Sequence, residues 1–246
     1  VDAIAERLLA MKAPAVEAVA ICLLHSYANP EHEACVAERL RALLPDVAVV
    51  ASHEVTREWR EYERGNTAVL SAYVAPIARQ YLAQLTESLS GAGMECPPYI
   101  MQSSCGVDTV AGATARPISI IESGPSSGVW ATAVLGELLG ESNVLSFDIG
   151  GTTAKCSLVP DGQVQIKTEY HIEKNETTAG YPILVPVVDI VEIGQGGGSI
   201  AWVEKAGDEA PTKLRVGPQS AGASPGPVAY GRGGSQITTT DANLVL

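Results

Sequence analysis

The 246-residue sequence has no run of about 18 consecutive apolar residues, the length from which a membrane-spanning helix is inferred. It is also poor in positive charge, with 16 lysine and arginine residues against 28 aspartate and glutamate residues, for a formal net charge of −12. Nucleic acid and anionic membrane surfaces both require a basic face on the protein. The composition therefore argues against these two partners and predicts a soluble globular protein.

Patterns for binding metals or forming disulfides are also missing. The five cysteines are odd in number and contain no Cys-x-x-Cys pair, and no second histidine follows His32 at HExxH spacing. This argues against a zinc site and favours a reducing, cytoplasmic compartment. Cys22 and Cys156 lie in apolar runs, where we expect buried thiols.

The ends of the sequence carry a further expectation. The sequence begins with Val1 rather than methionine and lacks the basic and apolar regions of a signal peptide. It stops on an apolar run at 243–246, whereas natural termini are more often polar and loose. We therefore expect a piece of a longer polypeptide, with functional parts outside it.

Helix-like and strand-like segments alternate in the first half of the sequence, and hairpin patterns dominate the second half. Helices are predicted over residues 2–12, 29–44, 56–89 and 128–139. Strands are predicted over residues 18–24, 47–51, 99–102, 118–121, 144–148, 154–159, 164–172, 185–193 and 200–203, and a loop over 217–234. This order predicts an α/β fold with a mixed sheet.

The sharpest chemical motif lies at residues 144–155. A strand delivers Asp148, Gly150 and Gly151 form a turn without side chains, and Thr152 and Thr153 add hydroxyl groups. Backbone amides in such a turn can closely approach a phosphate, and a carboxylate is a ligand that Mg²⁺ prefers. The Walker pattern is absent. Taken alone, the motif is equally consistent with a phosphate-binding hairpin and with an ordinary one.

A second candidate is the segment 122–128, Glu-Ser-Gly-Pro-Ser-Ser-Gly, which opens a helix leading into the Asp148 strand. The free amides of a helix N-terminus form a ready anion site. A simple capped helix, with Ser126 or Ser127 as the cap, is the favoured interpretation of this segment by itself.

A third candidate is the glycine cluster at 194–199, which begins like GxGxxG but runs into a strand pattern. A dinucleotide fingerprint requires a helix there, so dinucleotide binding is excluded. Glycines at this density indicate a close backbone approach, either to a ligand or to another segment. In the preceding strand, Asp189 and Glu192 are three residues apart and should point to opposite faces. Asp189 lies between apolar neighbours and is the more unusual of the two.

Other charged and imidazole groups give weaker signals. The charge run 57–64 is most consistent with a solvated helix face carrying i,i+3 and i,i+4 ion pairs. His25 and His53 follow predicted strand ends, where they could line a cleft, although structural histidines with satisfied hydrogen bonds are more common.

Six ordered motifs together resemble the hydantoinase A/5-oxoprolinase family across essentially the whole sequence. They are Leu-Leu-His-Ser-Tyr-Ala-Asn-Pro-Glu-His-Glu at 23–33, Glu-Tyr-Glu-Arg at 61–64, Ser-Gly-Pro at 123–125, Phe-Asp-Ile-Gly-Gly-Thr-Thr at 147–153, Gly-Gly-Gly-Ser-Ile-Ala at 196–201 and Val-Gly-Pro-Gln-Ser-Ala-Gly-Ala at 216–223.

The resemblance implies a ribonuclease H-like mixed sheet with flanking helices, as part of the two-lobed ATPase fold of sugar kinases, actin and heat-shock proteins. Residues 1–122 would end the first lobe and residues 123–246 would begin the second. ATP and Mg²⁺ are the implied cofactors, with Asp148 as metal ligand. Asp148 and Asp189 are the candidate catalytic residues. The candidate nucleotide-binding residues are Ser123, Gly124, Gly150, Gly151, Thr152, Thr153, Gly196, Gly197 and Gly198.

Three functions remain open at this point. The resemblance favours an ATP-dependent hydrolase of a small cyclic amide, such as 5-oxoproline or a hydantoin, and it implies a second hydantoinase or carboxylase subunit as a candidate partner. The alternatives are a subunit of an ATP-dependent ketone carboxylase and a regulatory nucleotide-binding ATPase module. The family's first phosphate motif and its later adenosine-contacting segment are not in the sequence, so we expect little or no turnover from this piece alone.

Overall fold

The computed structural model describes residues 1–11, 15–173, 177–204 and 213–246. The α-helices there are α1 (Asp2–Ala10), α2 (Glu31–Leu43), α3 (Ser52–Val55), α4 (Glu61–Gly91), α5 (Val110–Ala115), α6 (Ser123–Leu139) and α7 (Thr239–Val245). The strands are β1 (Ala18–Ile21), β2 (Ala48–Ala51), β3 (Tyr99–Met101), β4 (Val107–Thr109), β5 (Val144–Ile149), β6 (Ala154–Val159), β7 (Ile166–Lys167), β8 (Tyr170–Ile172), β9 (Tyr181–Ile183), β10 (Val187–Val188), β11 (Val191–Ile193), β12 (Ser199–Glu204) and β13 (Lys213–Ser220).

The chain forms two compact units. The first contains residues 1–127 and 166–188, and the second contains residues 128–165 and 189–246. Helices and strands occur in both units, so the predicted α/β class is confirmed, but in the described ranges the parallel pair β1–β2 and the antiparallel pairs belong to separate sheets. The more specific ribonuclease H-like sheet, and the division into lobes at residue 122, stay predictions.

The first unit is built around a parallel strand pair. β1 pairs with β2, with Ala18 opposite Ala48 and Ile21 opposite Ala51. β2 is buried along its whole length, as is typical of apolar strands in parallel pairs. Helices α1 and α2 cover this pair. The resulting core contains Ala5, Ile21, Ala37, Leu40, Leu44, Val49 and Ala51.

The long helix α4 packs on the same strand pair with small side chains. Its buried positions include Ala68, Ser71, Ala72, Ala75 and Ala78. The helix starts at Glu61 rather than at Thr56, where it was predicted to start. Thr56 and Arg60 are both extended, because a separate helical turn, α3, comes first and residues 56–60 link it to α4.

The predicted strand at residues 118–121 is wrong. Residues Pro117–Ile120 form a 3₁₀ helix, with Pro117 at its first turn. Proline has no N–H to donate and is well suited to that position. Ile118 is nonetheless buried and packs against Ile183 and Val185, so its apolar character reflects the core rather than a strand.

Helix α6 begins at Ser123, five residues before the predicted start at Gly128. Ser126 and Ser127 therefore lie inside the helix and are not its caps. The hydroxyl of Ser126 donates to the carbonyl oxygens of Ser103 and Glu122, at 3.0 and 2.8 Å. The Ser127 hydroxyl donates to the Gly124 carbonyl oxygen at 2.5 Å.

The second unit contains a three-stranded antiparallel sheet in the order β11-β6-β5 and a separate β12–β13 ladder. The strands predicted at 144–148 and 154–159 are confirmed. The strands predicted at 164–172 and 185–193 each divide into two shorter strands. The predicted loop at 217–234 is wrong at its start, because β13 extends through Ser220.

The five cysteines are not paired with one another. Cys22 is exposed, contrary to the prediction of a buried thiol, because β1 ends at Ile21 and does not continue to residue 24. Cys156 is half-buried. Among the helices of the described ranges, none has the length and apolar character needed to cross a membrane. Lys12, at the end of the predicted first helix, lies outside the described residues.

Candidate functional site

The candidate site is built on the β5–β6 hairpin of the second unit. Asp148 is the fifth residue of β5 and is directly opposite Lys155 in β6. The turn between the strands is closed by the Gly150 amide, which donates to the Thr153 carbonyl oxygen at 2.9 Å. Asp148 and the turn residues Gly150, Gly151 and Thr152 are all exposed. The predicted carboxylate therefore lies near the turn end of the hairpin, two residues before Gly150.

The backbone of this turn has unused donors. Within the described part of the chain, the amides of Gly151, Thr152 and Thr153 have no hydrogen-bond acceptor. A Cβ added at Gly151 would meet no atom within 4 Å. Packing therefore does not require glycine at position 151. Successive amides without a hydrogen-bond acceptor in a glycine turn are typical of an anion-binding concavity.

The second glycine cluster packs directly on this turn, which sequence reasoning left undecided between a ligand and another segment. The Gly197 amide donates to the Gly150 carbonyl oxygen at 2.9 Å, and the Gly198 amide donates to the Gly151 carbonyl oxygen at 2.7 Å. A Cβ at Gly196 would lie 2.6 Å from both the Gly150 carbonyl oxygen and the Thr152 amide nitrogen. The glycines thus allow two backbone segments to touch.

The three glycine amides are all used within the protein. The Gly196 amide donates to the Ser199 hydroxyl at 2.8 Å, and the other two donate to the turn. The carbonyl oxygen of Gly197 accepts from both the amide and the hydroxyl of Thr240, each at 2.8 Å. The cluster therefore holds the turn at 150–153 in place and is itself held by the start of α7.

Asp189 and Glu192 flank β6 on the side away from β5. The Asp189 carbonyl oxygen accepts from the Ser157 hydroxyl at 2.8 Å, and the Asp189 amide donates to the Gln165 carbonyl oxygen at 2.8 Å. These bonds fix the backbone of Asp189, whose side chain is half-buried. Glu192 is directly opposite Lys155, and its carboxylate is 3.8 Å from the Lys155 ammonium.

Ser123 and Gly124 lie at the start of α6, in the first compact unit, whereas the hairpin belongs to the second. A Cβ at Gly124 would meet no atom within 4 Å, so packing does not explain this glycine. Their predicted contact with a nucleotide stays a prediction.

Sequence reasoning missed a buried polar cluster in the first unit. Arg64 was expected on a solvated helix face, but its side chain is fully buried, and so is that of Glu33, 3.9 Å away. Arg64 also pairs with Glu61 and donates to the Leu23 carbonyl oxygen at 3.0 Å. The available signal was the uncharged, small-residue stretch that follows Arg64 and marks the buried part of α4.

The Glu33 carboxylate accepts hydrogen bonds from backbone amides and from a hydroxyl group. The amides of Leu23 and His53 donate to it at 2.6 and 2.9 Å, and the Ser52 hydroxyl donates at 2.9 Å. Burial by itself would raise the pKa of Glu33, but these bonds and the His53 ring together hold the pKa below its ordinary value. His53 Nδ1 lies 2.8 Å from Glu33, which makes His53 a structural histidine with a satisfied hydrogen bond.

Comparison with known protein families gives a match along most of the chain. The model described as Hydantoinase/oxoprolinase matches residues 64–246, and the model of the Hydantoinase/oxoprolinase N-terminal region matches residues 1–44.

Curated relatives align with nearly the whole chain. An uncharacterised protein of Methanocaldococcus jannaschii is 42% identical over 94% of this chain and 34% of its own length. Caprolactamase subunit alpha of Pseudomonas jessenii is 38% identical over 94% of this chain and 32% of its own length. The 5-oxoprolinase of Saccharomyces cerevisiae is 34% identical over 95% of this chain and 17% of its own length. The chain thus spans about a third of the length of the first two relatives.

Two solved structures share the fold. The nucleotide-free structure of acetone carboxylase, from a study of ATP-dependent acetone carboxylation, has a TM-score of 0.76 and 28% identity, covering 100% of this chain and 33% of its own. The crystal structure of ATP-dependent caprolactamase from Pseudomonas jessenii has a TM-score of 0.72 and 37% identity, and the match covers 94% of this chain and 32% of that one.

Proposed function

The chain belongs to the hydantoinase/oxoprolinase family, and from this premise we propose that it is part of an ATP-dependent hydrolase that opens a small cyclic amide. The observation that carries the proposal is the Gly150–Thr153 turn, with unused backbone amides beside the exposed carboxylate of Asp148. Relatives named caprolactamase and 5-oxoprolinase act on cyclic amides, which supports the substrate class.

The residues of the hairpin fit a magnesium nucleotide. A carboxylate oxygen is a ligand that Mg²⁺ prefers, and Asp148 presents one to solvent next to the turn. Three successive amides and the hydroxyls of Thr152 and Thr153 supply donors for phosphate oxygens. The open space in front of Gly151 leaves room for close approach. We propose Asp148 as the metal ligand and Gly150 to Thr153 as the phosphate-binding residues.

ATP, when bound, would supply a phosphoryl group to the amide oxygen, which would make the amide carbon electrophilic enough for water to add there and for the ring C–N bond to break. The chain's own residues would then position the reacting groups and stabilise the charge that develops on the phosphate, as is usual in phosphoryl transfer. The amides of the turn hold phosphate oxygens, and Asp148 orients the cation. Gly196, Gly197 and Gly198 act by supporting the turn through backbone contacts.

The remaining candidates complete this proposal. Asp189 is proposed as the second catalytic carboxylate, because two backbone hydrogen bonds fix its position next to the Asp148 sheet. Ser123 and Gly124 are proposed to meet the nucleotide at the start of α6. Residues 1–122 and 123–246 are proposed as parts of two lobes of a ribonuclease H-like ATPase.

A carboxylase subunit is the second candidate function. The fold similarity to acetone carboxylase, at a TM-score of 0.76, favours it, and relatives named as alpha, beta or gamma subunits support a partner subunit in either case. ATP would then activate a ketone or bicarbonate rather than an amide.

One experiment separates the two candidates. ATP hydrolysis by the complete protein is measured with 5-oxoproline, hydantoins, or a ketone plus bicarbonate. Stimulation by a cyclic amide is the expected result. If only the ketone with bicarbonate stimulates ATP hydrolysis, the carboxylase function is assigned. If no small molecule stimulates it, both the hydrolase and the carboxylase functions are contradicted.

A further inference from the structure

The three strands of the β11-β6-β5 sheet place three charged residues in one row. Asp148 is opposite Lys155, and Lys155 is opposite Glu192 on its other side. Directly opposite residues of antiparallel strands project from the same face, with Cβ atoms about 4.5–5.5 Å apart. The row therefore reads carboxylate, ammonium, carboxylate across one face of the sheet. The neighbours Phe147 and Ile149 project from the other face.

Lys155 is held in this row rather than free in solvent. Its side chain is only 17% exposed, and its ammonium lies 3.8 Å from the Glu192 carboxylate. It is the one cation of the three strands, the turn at 150–153 and the glycine cluster at 194–198, all of which the structure describes. These elements therefore carry two carboxylates and one ammonium, which leaves the site negative before a ligand arrives.

This balance matters for a polyphosphate ligand. The phosphates of ATP and the two carboxylates repel one another, and Mg²⁺ offsets part of that repulsion. Lys155 and Asp148 stand at the same level of the hairpin, each two residues from the turn. If Asp148 holds a metal ion, the phosphate bound to that ion lies close to Lys155 as well. Lysine has a flexible four-carbon stem and three N–H donors for phosphate oxygens.

We infer that Lys155 is a phosphate-binding residue of the nucleotide site, held in place by Glu192. The inference rests on the proposed function, because it assumes that the hairpin binds a magnesium nucleotide. It adds a fixed positive charge to a site otherwise composed of backbone donors, hydroxyls and carboxylates. A lysine that served only as a cross-strand partner of Glu192 would leave nucleotide affinity unchanged when it was replaced.

The test is direct binding of a non-hydrolysable ATP analogue with Mg²⁺ to the complete protein, measured by calorimetry. Lys155→Met is expected to weaken binding about tenfold or more, since a charged hydrogen bond is lost. Lys155→Arg keeps the charge and is expected to retain most of the affinity. Arg215→Met is the matched control, because Arg215 is also a strand cation paired with a carboxylate, Glu204 at 2.7 Å, but on the β12–β13 ladder.

The possible outcomes distinguish the role of Lys155 from the proposed function on which it rests. If the unsubstituted protein binds and Lys155→Met binds equally well, the role of Lys155 is overturned and the proposed function stands. If the unsubstituted protein does not bind the nucleotide, both are overturned. Thermal unfolding of each variant shows whether it is folded, and Lys155→Gln replaces Lys155→Met if the latter is not. A loss in Lys155→Arg as large as that in Lys155→Met would also overturn the role of the charge.

Discussion

Gly196 lies so close to Gly150 that a Cβ at position 196 would be 2.6 Å from the Gly150 carbonyl oxygen. Two glycine-rich segments that are about 45 residues apart in the sequence thus meet backbone to backbone. The second segment donates to carbonyl oxygens of the first and accepts nothing from the amides of Gly151, Thr152 and Thr153. The shape of the proposed phosphate turn therefore depends on residues that lie far from it in the chain.

Replacing Asp148 by alanine is expected to abolish magnesium-dependent nucleotide binding and ATP hydrolysis in the complete protein, because the proposed metal ligand is lost. Folding should be unaffected, since Asp148 is exposed. Calorimetry with and without Mg²⁺ measures the effect. Asp161→Asn is the control, because Asp161 is an exposed carboxylate of the same unit beyond the other end of β6. ATP hydrolysis retained in Asp148→Ala would remove Asp148 from the metal site.

Gly151→Ala is expected to weaken nucleotide binding without changing stability. The new methyl group meets no protein atom within 4 Å but occupies the space in front of the turn. We expect the midpoint of denaturant unfolding to stay the same and the affinity for the nucleotide to fall. Gly194→Ala, which also meets no atom within 4 Å, is the matched control and should alter neither quantity. Unchanged affinity in Gly151→Ala would mean that phosphate does not approach this face.

Gly196→Ala is expected to reduce the free energy of unfolding by roughly 1–3 kcal/mol, the usual range for overpacking, because its Cβ would clash with fixed backbone atoms. Nucleotide affinity should fall as well, since the turn must shift. Denaturant unfolding and calorimetry measure the two effects. A variant as stable as Gly194→Ala would contradict the close packing of the two glycine segments.

Arg64→Met is expected to reduce the free energy of unfolding by about 3–5 kcal/mol, the range seen when one partner of a buried ion pair is removed. Glu33 would then remain buried with the counter-ion of its carboxylate gone. Denaturant unfolding measures the loss. Arg57→Met, in the exposed part of the same charge run, should change stability by less than about 0.5 kcal/mol. Equal effects of the two substitutions would place Arg64 in solvent.

The stabilisation by Glu33 is expected to depend on pH in a defined direction. Because hydrogen bonds lower the pKa of Glu33 in the folded protein, its ionised form favours folding. That contribution is complete above the ordinary glutamate pKa and is lost as the pH falls through the lowered folded-state value. The stability difference between the wild type and Glu33→Gln should thus be large at neutral pH and shrink in acid.

The measurement is denaturant unfolding at neutral pH and at several acidic values. Glu38→Gln, an exposed glutamate of the same helix, provides the control. A difference between wild type and Glu33→Gln that grew as the pH fell would contradict the lowered pKa.

Local patterns predicted the elements whose side chains alternate or cluster clearly, such as the strands of the β5–β6 hairpin. They failed where a tertiary contact decided the outcome. Ile118 looks strand-like, but its apolar character serves the packing against Ile183 and Val185, and its backbone is a 3₁₀ helix. Ser126 looks like a cap, yet its hydroxyl bonds to Ser103, a residue of another segment.

The site was predicted in its parts but not in its assembly. The turn at 150–153 carries a recognisable composition, whereas the contact between Gly196 and Gly150 requires two segments to fold together. The burial of Arg64 depends in the same way on Glu33, a residue of another helix. The row that joins Asp148 to Lys155 and Glu192 follows from strand register, which the spacing of residues along one strand does not determine.

The junction between the two glycine segments has a consequence for how freely the surrounding sequence can vary. The contact between the segments is made by main-chain atoms and requires that side chains be absent at a few positions, and among the neighbouring side chains the hydroxyls of Ser199 and Thr240 bond to the second segment. Side chains elsewhere in the surrounding loops can therefore be exchanged while the turn at 150–153 keeps its backbone shape.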